Sequence, residues 1–208
     1  MSAPGPNHRS AATDVPIHHL IRDRWSPRAF RSDPVAEADL ARLFEAARWA
    51  PSSGNVQPWR YLVTYRGDAC HQRLVGTLTG RNGSWAPMAP VLAAAYTLTV
   101  FPAKADKPVR SNPTAAHDLG LANAMLALQA TAIGLYVHFM SGFDAAALDA
   151  AFPPPPDVVP VAVFAVGYLD EPDILPDALR EKERSERTRR PRQEFVVVNG
   201  WDTGIQHA

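Results

Sequence analysis

Helical and strand periods alternate along this chain, and prolines mark the joints. In AEADLARLFEAARWA, 36–50, Leu40, Leu43, Phe44 and Ala47 recur at i, i+3, i+4 and i+7, the spacing of one helix face. Pro51 ends that helix and SSGN follows as a loop. Upstream, VPIHHLIRDR is a shorter helical stretch with Ile17, Leu20 and Ile21 on one face, closed by Pro27 because the residue before a proline is pushed out of the helical region. WRYLVTY, 59–65, is short, aromatic and β-branched between Pro58 and Gly67, which predicts a strand. A helix is expected over 68–78 with Leu74, Val75 and Leu78 inward. The apolar run 91–100 predicts a strand buried on both faces or an edge of the core.

The second half continues the alternation. FPAKADKPVRSNP is an irregular connection of the kind that often carries function. A long buried helix is expected over 114–133, with Gly134 as its C-terminal cap. A short strand at 137–139, a short helix at 144–151 and a rigid PPPP turn at 153–156 lead to a second strong strand over 158–168. Residues 180–192 are charge-dense, and EFVVVN, 194–199, predicts a strand near the chain end. With no internal repeat and no linker between two cores, the order predicts an α+β fold in one domain over 15–202. The Pro-, Gly-, Ser- and Asn-bearing start, 1–14, reads as a disordered arm, and 203–208 as a flexible tail.

Composition narrows the function classes. Lys+Arg and Asp+Glu are both 21, and this balance argues against broad nucleic-acid or anionic-membrane binding. The single cysteine, Cys70, rules out a disulfide framework or a Cys-rich zinc site and reads as a structural residue. With no signal-peptide pattern at the start, a cytoplasmic setting is expected. The most apolar stretch, 119–137, is interrupted by Asn123, Gln129 and Thr131 and reads as a core helix and not a membrane span. The seven histidines show no metal-ligand spacing, so no metal is expected. Dinucleotide, P-loop, HExxH and nucleophile-elbow motifs are absent.

Three segments make little sense as core. RDRWSPRAF sets Arg22, Arg24, Ser26 and Arg28 around a helix end with Trp25 between them. A guanidinium is the best side-chain partner for a phosphate, and a hydroxyl adds a donor. APSSGNVQPW is a polar loop held between prolines, suited to the edge of a polar heterocycle. RSERTRRPR supplies a second arginine group. Read alone, each is also compatible with a solvated surface.

Together with other pieces these segments resemble the nitroreductase family of flavin enzymes. The resemblance rests on RWSPRAF, LARLFEAARWA and APSSGNVQPWRYLV, then RNGSWAPMAPVLAAA, HDLGLANAMLALQATAIGL, HFMSGFD and RTRRPRQEFV, in that order over about 16–201. It implies a mostly antiparallel central sheet flanked by helices, and a homodimer whose C-terminal strands are exchanged between subunits. It implies FMN at the dimer interface, NADH or NADPH as hydride donor, and a small electron-poor acceptor such as a nitroaromatic or quinone, in a ping-pong cycle. The flavin carries the chemistry, so no catalytic side chain is expected.

The resemblance also assigns residues. Arg24 and Ser26 would hold the phosphate and ribityl end, with Trp25 where relatives often carry Arg or His. Arg28 would lie near the N1–C2 side of the ring, and Arg187 and Arg189 would return to the phosphate. Pro51, Ser52, Ser53 and Asn55 would reach the partner's flavin. Asn82 would bond the ring edge, and the backbone of Ser141 and Gly142 would meet the ring near N5. Segment 97–116 is short beside relatives with extra helices there, and Pro191-Arg192 replaces the more usual Pro-Leu. The same scaffold resembles that of reductive dehalogenases and flavin-dependent oxidising enzymes. A flavin-binding protein without turnover, and a scaffold whose arginines are only surface charge, are the readings outside that class.

Overall fold

The computed structural model describes residues 9–103 and 108–201. Its centre is a four-stranded sheet of β1 (Trp59–Tyr65), β2 (Val91–Leu98), β5 (Tyr136–Met140) and β6 (Val158–Gly167), in the order β1-β2-β6-β5. Every pairing in it is antiparallel. A two-stranded ribbon, β3 (Val100–Phe101) and β4 (Arg110–Ser111), forms in the segment read as an irregular connection. The sheet and its helices make the α+β arrangement expected from the element order. β2 is buried along nearly its whole length, since both of its neighbours are strands and both of its faces are covered.

One face carries α2 (Glu37–Arg48) and α4 (Ala115–Ala132). Leu40, Leu43 and Ala47 of α2 pack on Leu119, Ala122, Leu126 and Ala130 of α4 and on Ala93, Phe164 and Val166 of the sheet. Alanines on the facing surfaces let these elements approach closely. Each fully buried leucine or phenylalanine here is worth roughly 1.5–3 kcal/mol against exposure. Gly134 follows α4 with φ +80°, a left-handed turn that an L side chain rarely adopts, and Leu135 N–H donates back to Ala130 O at 2.9 Å. The expected cap is therefore the one found.

The other face packs against α3 (Ala69–Val75), α5 (Ala145–Ala151), α6 (Asp177–Arg184) and the segment holding Trp25 and Phe30. Phe30 stacks on the fully buried Trp85 at 6.2 Å between ring centres. The charge-dense stretch thus begins as a helix, which the run of charges masked in the sequence. Its Leu179 and Glu183 point into the protein.

Several expectations need correction. The first helix, α1 (His19–Asp23), is shorter than read, and Ile17 and Ile21, expected inward, are exposed. Residues 1–8 of the arm lie outside the described residues, but Ser10 Oγ donates to Asp23 and Ala11 N–H to Arg22 O. Order therefore begins before residue 15. Cys70, read as structural, is exposed. The tail 203–208 lies outside the described residues. EFVVVN is not a strand in the single chain: Arg192–Glu194 makes one 3-10 turn, and Phe195, Val196 and Val198 are exposed. A strand needs a neighbouring row of N–H and C=O groups, and among the described residues none pairs with this segment.

Candidate functional site

The residues singled out in the sequence fall into three places. The first is a cleft of about 310 Å³ between the turn after α1 and the segment after α6. Arg24, Trp25, Ser26, Arg28, Arg187 and Arg189 all line it. Arg9 lines it too, which the sequence reading missed. Lys182 adds a further cation, and the exposed Glu186 is the acidic side chain on the wall.

This cleft concentrates uncompensated positive charge. Among the described residues no carboxylate pairs with Arg24, Arg187 or Arg189. Burial pushes the Arg24 guanidinium below its ordinary pKa, and the nearby Arg189 pushes it further. Burial does the same to Arg187, followed by the charges of Arg24, Arg189 and Arg9. The indole Nε1 of Trp25 is buried without a hydrogen-bond partner. Like charges gathered in a half-buried cleft, beside an orphaned donor, form a site for an anion.

The arginines differ in their freedom. Arg187 Nη1 donates to Arg9 O at 2.5 Å and Arg22 O at 3.0 Å, and Nη2 to Arg24 O at 2.8 Å. Two of its five N–H groups remain for a ligand. Arg189 is exposed and donates to Thr188 O, so it is free to swing inward. Arg28 Nη1 meets the fully buried Glu183 carboxylate at 3.4 Å. Glu183 Oε1 also accepts from the backbone N–H of Arg28 at 2.7 Å and of Ala29 at 3.1 Å. Glu183, which the sequence hid inside a charge run, thus fixes the turn bearing the predicted site residues Arg24, Trp25, Ser26 and Arg28.

His138 of β5 fixes the same turn from the other side. Its Nδ1 lies 2.8 Å from Pro27 O, which assigns that nitrogen the proton, and its ring packs on Trp85 at 4.5 Å. Burial pushes its pKa down to about 4, opposed by its backbone partner and reinforced by Arg28 and Arg24. It is a neutral imidazole at pH 7.

The second place joins Asn82, Ser141 and Gly142. Asn82 Nδ2 donates to Gly142 O at 2.9 Å, and Thr79 N–H donates to the same carbonyl at 3.0 Å. A Cβ on Gly142 would lie 2.6 Å from Asn82 Nδ2, so glycine is required for this approach. The arrangement uses one of the two N–H groups of the Asn82 amide and leaves the other, together with Oδ1 as an acceptor.

The third is the loop after α2. Ser52 Oγ accepts from Gln57 N–H at 3.0 Å, while Gly54, Asn55 and Gln57 are all left-handed. Ser53 N–H donates to Asp118 Oδ2 at 3.0 Å. Asp118, read as a polar helix start, is buried and ties this loop to α4. Pro51, Ser53 and Asn55 face solvent. Neither this loop nor the Asn82–Gly142 pair lines the basic cleft of the same chain.

Fold and cleft together define an α+β protein with an arginine-lined cleft between the turn after α1 and the segment after α6. The nitroreductase family model matches residues 21–168, and the chain belongs to that family. A Polynucleobacter asymbioticus protein named "Putative NADH dehydrogenase/NAD(P)H nitroreductase" is 31% identical over 181 residues, 80% of this chain and 92% of the relative. One of the same name from Rhodopseudomonas palustris is 29% identical, with the same coverage. A solved structure described as an oxidoreductase containing FMN superposes with a TM-score of 0.86 at 30% identity, covering 92% of this chain and 96% of that one. A nitroreductase family protein from Streptococcus pneumoniae shares the fold, with a TM-score of 0.69 at 22% identity and coverage of 86% and 98%. Among the described residues no helix is long and apolar enough to cross a membrane, and no group of three or more His, Cys, Asp or Glu could hold a metal.

Proposed function

We infer that this protein is an FMN-dependent oxidoreductase that takes hydride from NADH or NADPH and passes it to an electron-poor acceptor, a nitroaromatic or a quinone. The observation that carries this reading is the arginine cleft, in which, among the described residues, Arg24, Arg187 and Arg189 form no ion pair with a carboxylate and Trp25 Nε1 has no hydrogen-bond partner. It lies in a chain of the nitroreductase family, similar to a solved oxidoreductase containing FMN. FMN bound there would supply two-electron transfer between donor and acceptor. Arg24, Ser26 and Arg189 bind its phosphate, with the two spare N–H groups of Arg187 beside them. Arg28, held by Glu183, sets positive charge toward the ring, where electron-rich states gain most from it. Asn82 offers Oδ1 to the ring edge, and the turn at Ser141 and Gly142 presents backbone there.

The active form in this reading is a homodimer. Helix α4 is apolar nearly all round, yet Gly120, Ala124 and Met125 are exposed along one side. Such a helix calls for a second covering surface. The exposed loop bearing Pro51, Ser52, Ser53 and Asn55 then completes the partner's site. The C-terminal segment with Phe195, Val196 and Val198 crosses to the partner's sheet and becomes a strand there. Anaerobic stopped-flow mixing with NADH or NADPH, followed by a quinone or nitroaromatic, tests the activity. The expected result is bleaching of the flavin absorbance by a nicotinamide and its recovery on the acceptor, with parallel double-reciprocal lines in steady state. A flavin that neither nicotinamide bleaches would contradict the reading.

A further inference from the structure

The N-terminal segment is bound to the anion cleft by a reciprocal clasp. The Arg9 guanidinium donates to the carbonyls of Glu183 and Ser185, where α6 gives way to the basic segment. In return, Arg187 Nη1 donates to the Arg9 carbonyl at 2.5 Å. Each arginine therefore holds the backbone that carries the other. The Arg9 guanidinium also lies over the Trp25 ring, 5.5 Å from its centre, and covers the indole whose Nε1 has no partner. Ser10 Oγ to Asp23 Oδ1 at 2.7 Å and Ala11 N–H to Arg22 O at 2.9 Å continue the attachment past the clasp. Arg9 and Arg187 are 178 residues apart in sequence, so this contact joins the two ends of the described chain at one ligand site.

The arrangement has a cost that folding alone does not explain. It brings a fourth guanidinium toward Arg24, Arg187 and Arg189, where like charges repel, and Arg9 is one of the charges that lower the Arg187 pKa. A bound dianion reverses the sign of that interaction. We propose that Arg9–Ala11 is a strap that holds Arg9 against the cleft as a further lining residue, with Arg9 a positioning residue that selects the phosphate monoester end of the flavin. Its charge raises the attraction for a dianion, and its carbonyl keeps the two spare N–H groups of Arg187 aimed at the cleft. This inference rests on the FMN reading of the cleft.

The test compares FMN with riboflavin, which has the same ring and ribityl chain but no phosphate. Flavin fluorescence titration is run on the full chain, on Arg9→Ala and on Arg9→Lys. The expected result for Arg9→Ala is about a tenfold loss of affinity for FMN, one Coulomb interaction across a half-buried site, with riboflavin affinity unchanged. Arg9→Lys keeps the charge without the fork and should recover part of the loss. A merely structural strap would weaken both flavins equally, and that outcome overturns the proposal. So does an Arg9→Ala chain that keeps the full preference for FMN. If the unaltered protein binds riboflavin as tightly as FMN, the phosphate reading of the cleft fails as well, which separates the two failures.

Discussion

The buried Glu183 and the partly buried His138 hold the turn that carries Arg24, Ser26 and Arg28, and each makes a prediction. Glu183 is fully buried, paired with Arg28 and bonded to two backbone N–H groups. Glu183→Ala leaves those donors and a half-buried cation without a partner, so urea unfolding should show a loss of about 3 kcal/mol. A loss within error of zero would remove Glu183 from this role. His138 titrates near 4 in the folded protein against an ordinary value of 6.5. Because the unfolded chain takes up the proton first, its contribution is complete above pH 6.5 and falls as pH drops toward 4, by about 3 kcal/mol at most. His138→Asn should flatten that part of the stability profile. An unchanged slope between pH 6.5 and 4 would place the dependence elsewhere. At the ligand end, Arg24→Ala and Arg189→Ala should each weaken FMN binding by roughly 10- to 150-fold, the range of one charge-assisted hydrogen bond. Unchanged affinity by fluorescence titration would remove these arginines from the site.

Among the elements, legibility followed local pattern. Trp59–Tyr65 could be read to the residue because its aromatic and β-branched run sits between Pro58 and Gly67. The cap at Gly134 was legible because few residues tolerate its φ. Helix α6 was hidden because its two inward residues, Leu179 and Glu183, stand among charges and one of them is itself charged. Asp118, His138 and Arg9 act through partners 65, 111 and 174 residues away, and no local spacing encodes such contacts. The Asn82–Gly142 contact is equally nonlocal but leaves a trace, a glycine where a Cβ has no room. Gly142→Ala should displace the Asn82 amide, at about 1 kcal/mol for the lost hydrogen bond. Its larger expected effect is on turnover, because the proposed reading sets the displaced group toward the ring and not the phosphate. Unaltered reduction and reoxidation rates would take Asn82 away from the ring.

At the scale of the whole molecule, a single chain presents its candidate site in separate parts. The basic cleft, the Asn82–Gly142 pair and the loop at Pro51–Asn55 do not share one pocket, and Phe195, Val196, Val198 and Trp201 are left exposed. A homodimer with exchanged C-terminal segments, as proposed, would account for both observations. A cut after Pro191 keeps α6, Arg187 and Arg189, so it removes the segment proposed to be exchanged and leaves the residues lining the cleft in place. The shortened chain should sediment as a monomer or aggregate, and a flavin-loaded dimer of normal size would exclude the exchange.

The central claim is that the arginine cleft holds the phosphate of a noncovalent FMN. Denaturing the purified protein and identifying the released flavin by chromatography tests it most directly. The expected product is FMN, at about one per chain after reconstitution, since the proposed cleft would take one phosphate and the sequence has no second nucleotide motif. Recovery of FAD, or of no flavin after incubation with FMN, would contradict it.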